Sequence, residues 1–242
     1  MNKVFSVFAA IVFIITLNTI GYTQRTKAAE PTLPNIVLIM ADDLGWRDLS
    51  CTGSQYYETP AIDKLAQQGL RFINAYSAAP VCAPTRAALM TGKSPAQLHL
   101  TAVFDRDGGT MPLLPPNWIN ELPLAEKTIA ERLKEVGYRT AIMGRWHLGL
   151  TEAMWPETQG FDVNVGAWKS GRPTSYFSPY ENPRLPDGDE GEYLTDRLAR
   201  EAVQFIQDNK NSSFFLYLPF YSPHAPLEAP PASVAKFKNK KP

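Results

Sequence analysis

The stretch NIVLIM, residues 35–40, is a short continuous run of apolar side chains that is followed at once by polar residues. A run of this length without alternation is typical of a strand buried on both faces of a sheet. Further strands are predicted at LRFINAY (70–76), RTAIM (139–143) and FFLYL (214–218). Because helical segments separate these runs, the sequence predicts an α/β fold with a mainly parallel sheet sandwiched by helices.

Three segments between the runs have apolar residues at helical spacing. Thr59 is predicted to cap the first helix, with Pro60 at its first position and Gly69 after its end. The second helix is predicted over 124–136 and the third over 193–209. The predicted buried faces are Ile62, Leu65 and Ala66 in the first helix; Ile129, Leu133 and Val136 in the second; and Leu194, Leu198, Ala202 and Phe205 in the third.

Composition and charge exclude one class of partner. The chain has 242 residues, with 24 Lys+Arg and 24 Asp+Glu. This balance leaves no basic field for nucleic acid and no acidic tail, so we expect no nucleic-acid partner. The length is sufficient for one large α/β core or for two small domains.

The first residues are typical of an export signal. Lys3 precedes an apolar run at 4–17, and small residues suited to cleavage follow. The run is shorter than the roughly 20 residues that a membrane span needs, although an uncleaved anchor is the alternative. We predict a signal peptide at 1–23, a mature lead at 24–33 and a structured domain at 34–242. The protein is then periplasmic or extracellular, without a stable membrane anchor.

Polar residues lie where the predicted strands end. In strand order they are Asp42 and Asp43, then Cys82 and Arg86, then Arg145 and His147, then His224. Because ligands of open α/β sheets bind beyond the carboxyl ends of the strands, we expect these side chains to converge. The segments 108–123 and 155–191 are rich in proline and glycine and lack periodicity, so they are predicted to be loops around the same site.

The two cysteines, Cys51 and Cys82, could form a disulfide if the protein is exported. The residues after Cys82 favour another role. Pro84 can start a helix at Thr85, which would direct free backbone N–H groups and the positive end of the helix dipole toward a ligand at Cys82. Arg86 adds a forked, permanently charged donor suited to an oxyanion. Together they favour sulfate or phosphate; the alternative is a small buried cysteine beside a surface arginine.

The remaining polar residues have both a functional and a structural interpretation. Asp42 and Asp43 could hold a hard divalent cation, or they could form a turn. His147 and His224 would suit general acid–base catalysis beside an anion, whereas a lone histidine more often has a structural hydrogen-bonding role. His99 could line the rim of the pocket or could be structural.

Four segments, taken together, resemble the sulfatase family, the formylglycine-dependent branch of the alkaline phosphatase superfamily. They are PNIVLIMADDLGWRDLSCTG (34–53), CAPTRAALMTG (82–92), GRWHLG (144–149) and YSPHAPLEAP (221–230). The Cys-x-Pro-x-Arg motif is highly specific. The resemblance implies an alkaline-phosphatase-like fold and hydrolysis of sulfuric esters, either aryl sulfates or sulfated glycans.

The resemblance also implies how Cys82 is used. In such enzymes a maturation enzyme reads the motif and oxidises the cysteine to formylglycine. One hydroxyl of the hydrated aldehyde attacks sulfur, and the other expels sulfate by re-forming the aldehyde. The resemblance implies Ca²⁺ held by Asp42, Asp43 and the modified Cys82.

Roles for the other site residues follow from the same resemblance. Arg86 would hold the modified residue, and His147 would accept the proton that releases sulfate. His224 would assist the leaving alcohol and, with Arg145 and His99, would contact the substrate. Arg145 stands where the family usually has lysine; it keeps the charge but cannot give up a proton.

The resemblance covers the chain from about Pro34 to its end. Family members continue to an Asp-Asn pair on the metal and a further lysine on the substrate. We therefore expect the domain to be incomplete at its C-terminus. Two alternatives stay open: a phosphonate or phosphodiester hydrolase of the same superfamily, and a non-catalytic protein that binds anions or glycans.

Overall fold

The computed structural model describes residues 33–103 and 117–241. Within them four strands form one sheet in the order β1-β4-β2-β3, and every neighbouring pair is parallel. The strands are β1 (Ile36–Met40), β2 (Arg139–Met143), β3 (Val163–Val165) and β4 (Phe214–Pro219). The predicted parallel α/β sheet is confirmed. The predicted signal peptide at 1–23 and, apart from Leu33, the predicted lead lie outside the described residues.

Six helices accompany the sheet in the described part of the chain. They are α1 (Pro60–Gln68), α2 (Cys82–Thr91), α3 (Pro95–Leu98), α4 (Ile129–Glu135), α5 (Leu194–Asp208) and α6 (Pro231–Phe237). Short 3₁₀ turns lie at Ser50–Thr52, Glu152–Met154 and Pro156–Thr158. None of the helices among these residues is long and apolar enough to cross a membrane.

The central strand β4 separates two hydrophobic cores. Phe215 and Tyr217 pack in the core that also contains the buried residues of α2, whereas Leu216 and Leu218 pack in the core that contains those of α5. Successive strand residues point to opposite faces, so a continuous apolar run is what a strand with two covered faces requires. The sheet is therefore covered on both sides at its centre, as predicted.

One predicted helix buries the face expected of it, whereas in another the predicted residues Ile129 and Leu133 are only partly buried against the core. In α5 the buried residues are Leu194, Leu198, Ala202 and Phe205, as predicted. Helix α4 is shorter than predicted because Thr128 caps it. The Thr128 side chain accepts from the backbone N–H of Glu131, and the Glu131 side chain accepts from that of Thr128. Val136 lies beyond the end of α4 and is exposed.

The prediction of two buried faces is wrong for β1. This strand lies at the edge of the sheet and pairs only with β4 among the described strands. Ile36, Leu38 and Met40 pack against the core, but Val37 is 43% exposed and Ile39 is 58% exposed. An apolar run shows that a strand can be covered on both faces, but it does not show which neighbour would cover them.

The predicted strand at 70–76 is also wrong. These residues have irregular structure, and Leu70, Phe72, Ile73 and Tyr76 are exposed. A strand forms only when a neighbouring strand satisfies its backbone N–H and C=O groups. No such neighbour lies beside this segment in the described residues. Helix α1 has the predicted start and end, yet it buries none of its residues, and Ile62 and Leu65 are exposed.

The predicted loop at 155–191 contains a strand that periodicity did not reveal. β3 is only three residues long and pairs with β2 at the second edge of the sheet. Residues 117–123 of the other predicted loop are irregular, and the residues at 104–116 lie outside the described ones.

Candidate active site

The carboxylate of Asp42 lies at the base of the site, directly after β1. Its Oδ2 accepts a hydrogen bond from Arg86 Nη2 at 3.0 Å and also forms an ion pair with Arg145 Nη1. Each guanidinium is only 1% exposed, and Asp42 is 5% exposed. Two buried cations therefore share one buried anion, and each charge depends on the others for its stability.

Helix α2 brings Cys82 and Arg86 to this site. The helix begins at Cys82 rather than at Thr85, so that part of the prediction is corrected. Pro84 is in the first turn, where its missing N–H leaves no helical hydrogen bond unmade. One turn later Arg86 Nη1 donates to the carbonyl oxygen of Arg145 at 2.7 Å. This bond joins the helix to the segment that follows β2.

Cys82 is a half-buried thiol at the first position of α2, and it forms no disulfide with Cys51. Burial raises the pKa of this thiol, although the backbone of Ala83 and the charge of Arg86 act in the opposite direction. The thiol is therefore protonated at neutral pH. A protonated thiol is a poor nucleophile, which argues against direct thiolate chemistry.

His147 follows β2 with a left-handed backbone, φ 61°, and is buried. Its Nδ1 lies 2.9 Å from Arg145 Nη2. Arginine can only donate, so Nδ1 accepts and the ring proton is on Nε2. Burial, together with the charges of Arg145 and Arg86, lowers the pKa of His147 to about 3. The imidazole is therefore neutral at physiological pH.

The low pKa of His147 predicts a pH dependence of stability. Because the folded pKa of about 3 is below the ordinary value of 6.5, this contribution is fully present above pH 6.5 and is lost as the pH falls toward 3. We expect the free energy of unfolding to fall by about 1.4 kcal/mol per pH unit over that window through His147 alone. Urea denaturation of the protein and of His147→Asn at several pH values measures this difference. Equal slopes for both proteins would contradict it.

His224 follows β4, which pairs with β2, the strand that His147 follows. Its Nδ1 hydrogen-bonds the carbonyl oxygen of Ala225 at 2.8 Å, which leaves Nε2 facing Asp43 Oδ2 at 3.7 Å. The Asp43 side chain is 63% exposed, in contrast to that of its neighbour Asp42. The two adjacent carboxylates therefore have different surroundings.

A cavity of about 620 Å³ is lined by four of the eight predicted residues. Cys82, Arg145, His147 and His224 line it, so residues from α2 and from the ends of β2 and β4 converge as expected. Arg86 and Asp42 lie buried beneath these residues and hold Arg145. His99 ends α3, is exposed, and is not among the described residues that line the cavity.

The segment Trp168–Arg172 completes the cavity; it lies in the loop 155–191 that was predicted to surround the site, but none of its residues was predicted individually. It contributes two cations, Lys169 and Arg172, to a lining that already contains Arg145. The backbone N–H of His147 donates to the carbonyl oxygen of Trp168 at 3.3 Å, which holds the segment beside the site. The proline- and glycine-rich composition predicted a loop here, and the close spacing of two cations around a glycine was the further signal for these residues.

Gly171 allows this segment to approach His147. A Cβ atom at position 171 would lie 2.5 Å from both Cε1 and Nε2 of His147, closer than atoms can pack. We expect Gly171→Ala to displace the imidazole or the segment and to lower kcat/KM by about tenfold or more. The matched control is Gly69→Ala, at the end of α1 and outside the cavity lining. Unchanged kinetics in Gly171→Ala would show that the imidazole position is unimportant.

The described residues do not by themselves form a calcium site. Ca²⁺ takes six to eight oxygen ligands. Among residues 33–103 and 117–241 no group of three or more His, Cys, Asp or Glu could hold a metal. Asp42 and Asp43 are the carboxylates beside Cys82 and the histidines, and Oδ2 of Asp42 already carries two guanidinium contacts.

Comparisons with known proteins identify the family of this chain. The family model described as Sulfatase matches residues 34–242. N-acetylgalactosamine-6-sulfatase of Mus musculus is 35% identical over 246 residues, which cover 91% of this chain and 45% of the relative.

Solved structures show the same likeness. Ps i-CgsB, in complex with k-i-k-neocarrahexaose, is 36% identical with a TM-score of 0.71; the match covers 86% of this chain and 49% of that one. A second structure, solved with its substrate D-glucosamine-2-N,6-O-disulfate, is 27% identical with a TM-score of 0.66, and the match covers 86% and 38%. The chain thus spans about half the length of these proteins or less, and it belongs to the sulfatase family.

Proposed function

We propose that this protein hydrolyses sulfate esters at the cavity beyond β2 and β4, through a formylglycine formed from Cys82. The observation that supports this most directly is the convergence of Cys82, Arg145, His147 and His224 on one cavity. These residues come from distant parts of the chain. Their proximity in the folded protein was not implied by their spacing.

The charge of the cavity suits a sulfate group. Arg145, Lys169 and Arg172 line it, and no carboxylate is among the described lining residues. The buried Nε of Arg145 has no hydrogen-bond partner in the part of the chain that the structure describes. A buried donor without a partner is costly, and an oxyanion bound beside it would remove that cost.

The position of Cys82 fits its conversion to formylglycine. The thiol is half-buried, protonated and free of a disulfide, and it lines the cavity at the start of α2. When formed, the formylglycine supplies the oxygen nucleophile and the route by which sulfate is released. The first turn of α2 directs free backbone N–H groups toward the same place.

The two histidines have different proton chemistry. Neutral His147 can accept a proton only on Nδ1, and that atom is bonded to Arg145. When a bound sulfate draws the Arg145 guanidinium away, Nδ1 becomes available as a base. His224 Nδ1 donates to the carbonyl oxygen of Ala225, so Nε2 is the nitrogen left for the reaction, and it can donate to the leaving alcohol only in the imidazolium form.

The described residues do not complete a calcium site. The family resemblance implies Ca²⁺ at Asp42, Asp43 and the modified Cys82, and this assignment stays a prediction. Further oxygen ligands from outside the described residues would be needed. No step of the reaction is assigned to a metal here.

A sulfated glycan is the substrate class that the related proteins support. The named relative is an N-acetylgalactosamine-6-sulfatase, and the two solved structures hold sugar ligands. A formylglycine-generating maturation enzyme is the partner that the Cys82 motif requires. Export to the periplasm or the exterior, predicted from the first 23 residues, would bring the protein to such polymers.

The test uses the protein co-expressed with a formylglycine-generating maturation enzyme and assayed on 4-methylumbelliferyl sulfate. We expect release of the fluorophore and an aldehyde at position 82 by mass spectrometry. Faster turnover of a matched phosphodiester would favour the phosphodiesterase alternative. Binding of sulfated glycans without any release of sulfate, although position 82 carries the aldehyde, would favour a non-catalytic binding protein.

A further inference from the structure

A second pocket lies next to the catalytic cavity, and the two share one side chain. This pocket has a volume of about 540 Å³ and is lined by Trp168 and by residues of the segment 181–187. Trp168 also lines the catalytic cavity. A molecule that extended from one to the other would therefore pass along the indole of Trp168.

The two pockets have opposite charge. Among the described residues, the catalytic cavity is lined by the cations Arg145, Lys169 and Arg172. The second pocket has no cation in its described lining; its charged residues are Glu181 and Asp187. An anionic group is therefore favoured in the first pocket and disfavoured in the second.

The walls of the second pocket are held in place by hydrogen bonds. Asn182 Nδ2 donates to the carbonyl oxygen of Gly166 at 2.9 Å, which joins the segment 181–187 to the chain just before Trp168. Asp187 Oδ1 accepts from the backbone N–H of Tyr180 at 2.6 Å. This bond holds one oxygen of the Asp187 carboxylate in place.

Trp168 has a fixed position as well. Its ring packs edge-on against Trp155, with 6.5 Å between the ring centroids. Its carbonyl oxygen accepts from the backbone N–H of His147, so the shared wall is joined to the catalytic residues. An indole face presents an apolar surface, on which the C–H groups of a pyranose ring can stack.

We propose that the second pocket binds the sugar residue adjoining the sulfated one, and that it selects an adjoining residue that carries no sulfate. Trp168 supplies the stacking surface, and the carboxylates of Glu181 and Asp187 accept hydrogen bonds from hydroxyl groups. A sulfate on this residue would face two carboxylates and is rejected. The proposal rests on the proposed glycan sulfatase function because it assigns the sulfated residue to the catalytic cavity.

Binding to the chain expressed without the maturation enzyme tests this proposal without any need for turnover. Sulfated oligosaccharides are arrayed in pairs in which the second member has one more sulfate, on the residue adjoining the first sulfated one. We expect the monosulfated member of each bound pair to bind about tenfold more tightly. Calorimetry on the pair with the highest affinity then measures the ratio of the two affinities in solution.

Variants in which an amide replaces a carboxylate test whether Glu181 and Asp187 cause the selectivity. Glu181→Gln combined with Asp187→Asn is expected to reduce the ratio to about one, since it removes the repulsion. Glu181→Gln alone, at an exposed position, is expected to reduce it in part and guards against a folding defect in the double variant. Glu190→Gln removes the same charge from an exposed position outside both pockets and is expected to leave the ratio unchanged.

Several outcomes would overturn the proposal. These are equal affinity within every pair, a ratio that survives the double variant, an equal loss in Glu190→Gln, or no retention of any sulfated oligosaccharide. The proposed function can fail independently, because it is judged by release of sulfate from the matured protein. Selective binding without release of sulfate would support the proposed subsite, whereas release of sulfate without selectivity would contradict it.

Discussion

Replacing Cys82 with alanine is expected to abolish the release of sulfate, with kcat/KM reduced by about 10⁴-fold or more. Alanine cannot be converted to formylglycine, so the cavity would keep its cations and histidines but would lose the oxygen nucleophile. The measurement is the initial rate on 4-methylumbelliferyl sulfate after co-expression with the maturation enzyme. A variant that retained more than a few per cent of the activity would exclude Cys82 as the source of the nucleophile.

Cys51→Ala is the matched control for this variant. Cys51 lies in the 3₁₀ turn Ser50–Thr52, outside the cavity lining, and neither cysteine is in a disulfide. We expect Cys51→Ala to keep full activity, and we expect each single variant to change the free energy of unfolding by no more than about 1 kcal/mol. Equal and large destabilisation by both variants would instead indicate a disulfide between them.

Asp42→Asn is expected to lower the free energy of unfolding by about 3–5 kcal/mol. Asp42 is the shared counter-ion of Arg86 and Arg145, which are both buried. The amide removes the negative charge but hardly changes the volume, so two buried cations would lose their compensation. Urea denaturation at pH 7 in the presence of a chelator measures this effect without any contribution from bound metal.

The neighbouring carboxylate gives a close control. Asp43→Asn changes the same functional group one residue away, but the Asp43 side chain is largely exposed and its Oδ2 lies 3.7 Å from His224 Nε2. Its expected effect on the free energy of unfolding is below about 1 kcal/mol. Similar destabilisation by Asp42→Asn and Asp43→Asn in the chelator would show that the buried ion pairs do not stabilise the fold.

The sequence predicted the centre of the sheet better than its edge. β2 and β4 have apolar neighbours on both faces, and their sequences show the continuous apolar runs that such positions require. The run in β1 looks the same, yet Val37 and Ile39 are exposed because the described residues leave the face of the sheet to which they point partly uncovered. A hydrophobic side chain is suited to burial, but whether it is buried also depends on which elements pack against it.

The site was predictable to the extent that it lies at strand ends. The topology of a parallel sheet brings the residues after β1, β2 and β4 together, which located Asp42, Arg145, His147 and His224. The contacts of Asp42 with two guanidinium groups were not predictable, because they depend on how α2 packs. The loop containing Trp168 was predicted to lie at the site, but its lining residues were not identified because long-range bonds, such as that from His147, determine its conformation.

The edge position of β1 has a consequence for the behaviour of the protein in solution. One hydrogen-bonding edge of this strand has no partner among the described residues. The side chains of Val37 and Ile39 are exposed on one face of the same strand. Unpaired backbone groups beside apolar side chains recruit strands from other polypeptides, which is the usual start of aggregation. Lysine at position 37 or 39 would place a charge on that edge, and it is the substitution by which we would seek to keep the protein soluble at high concentration.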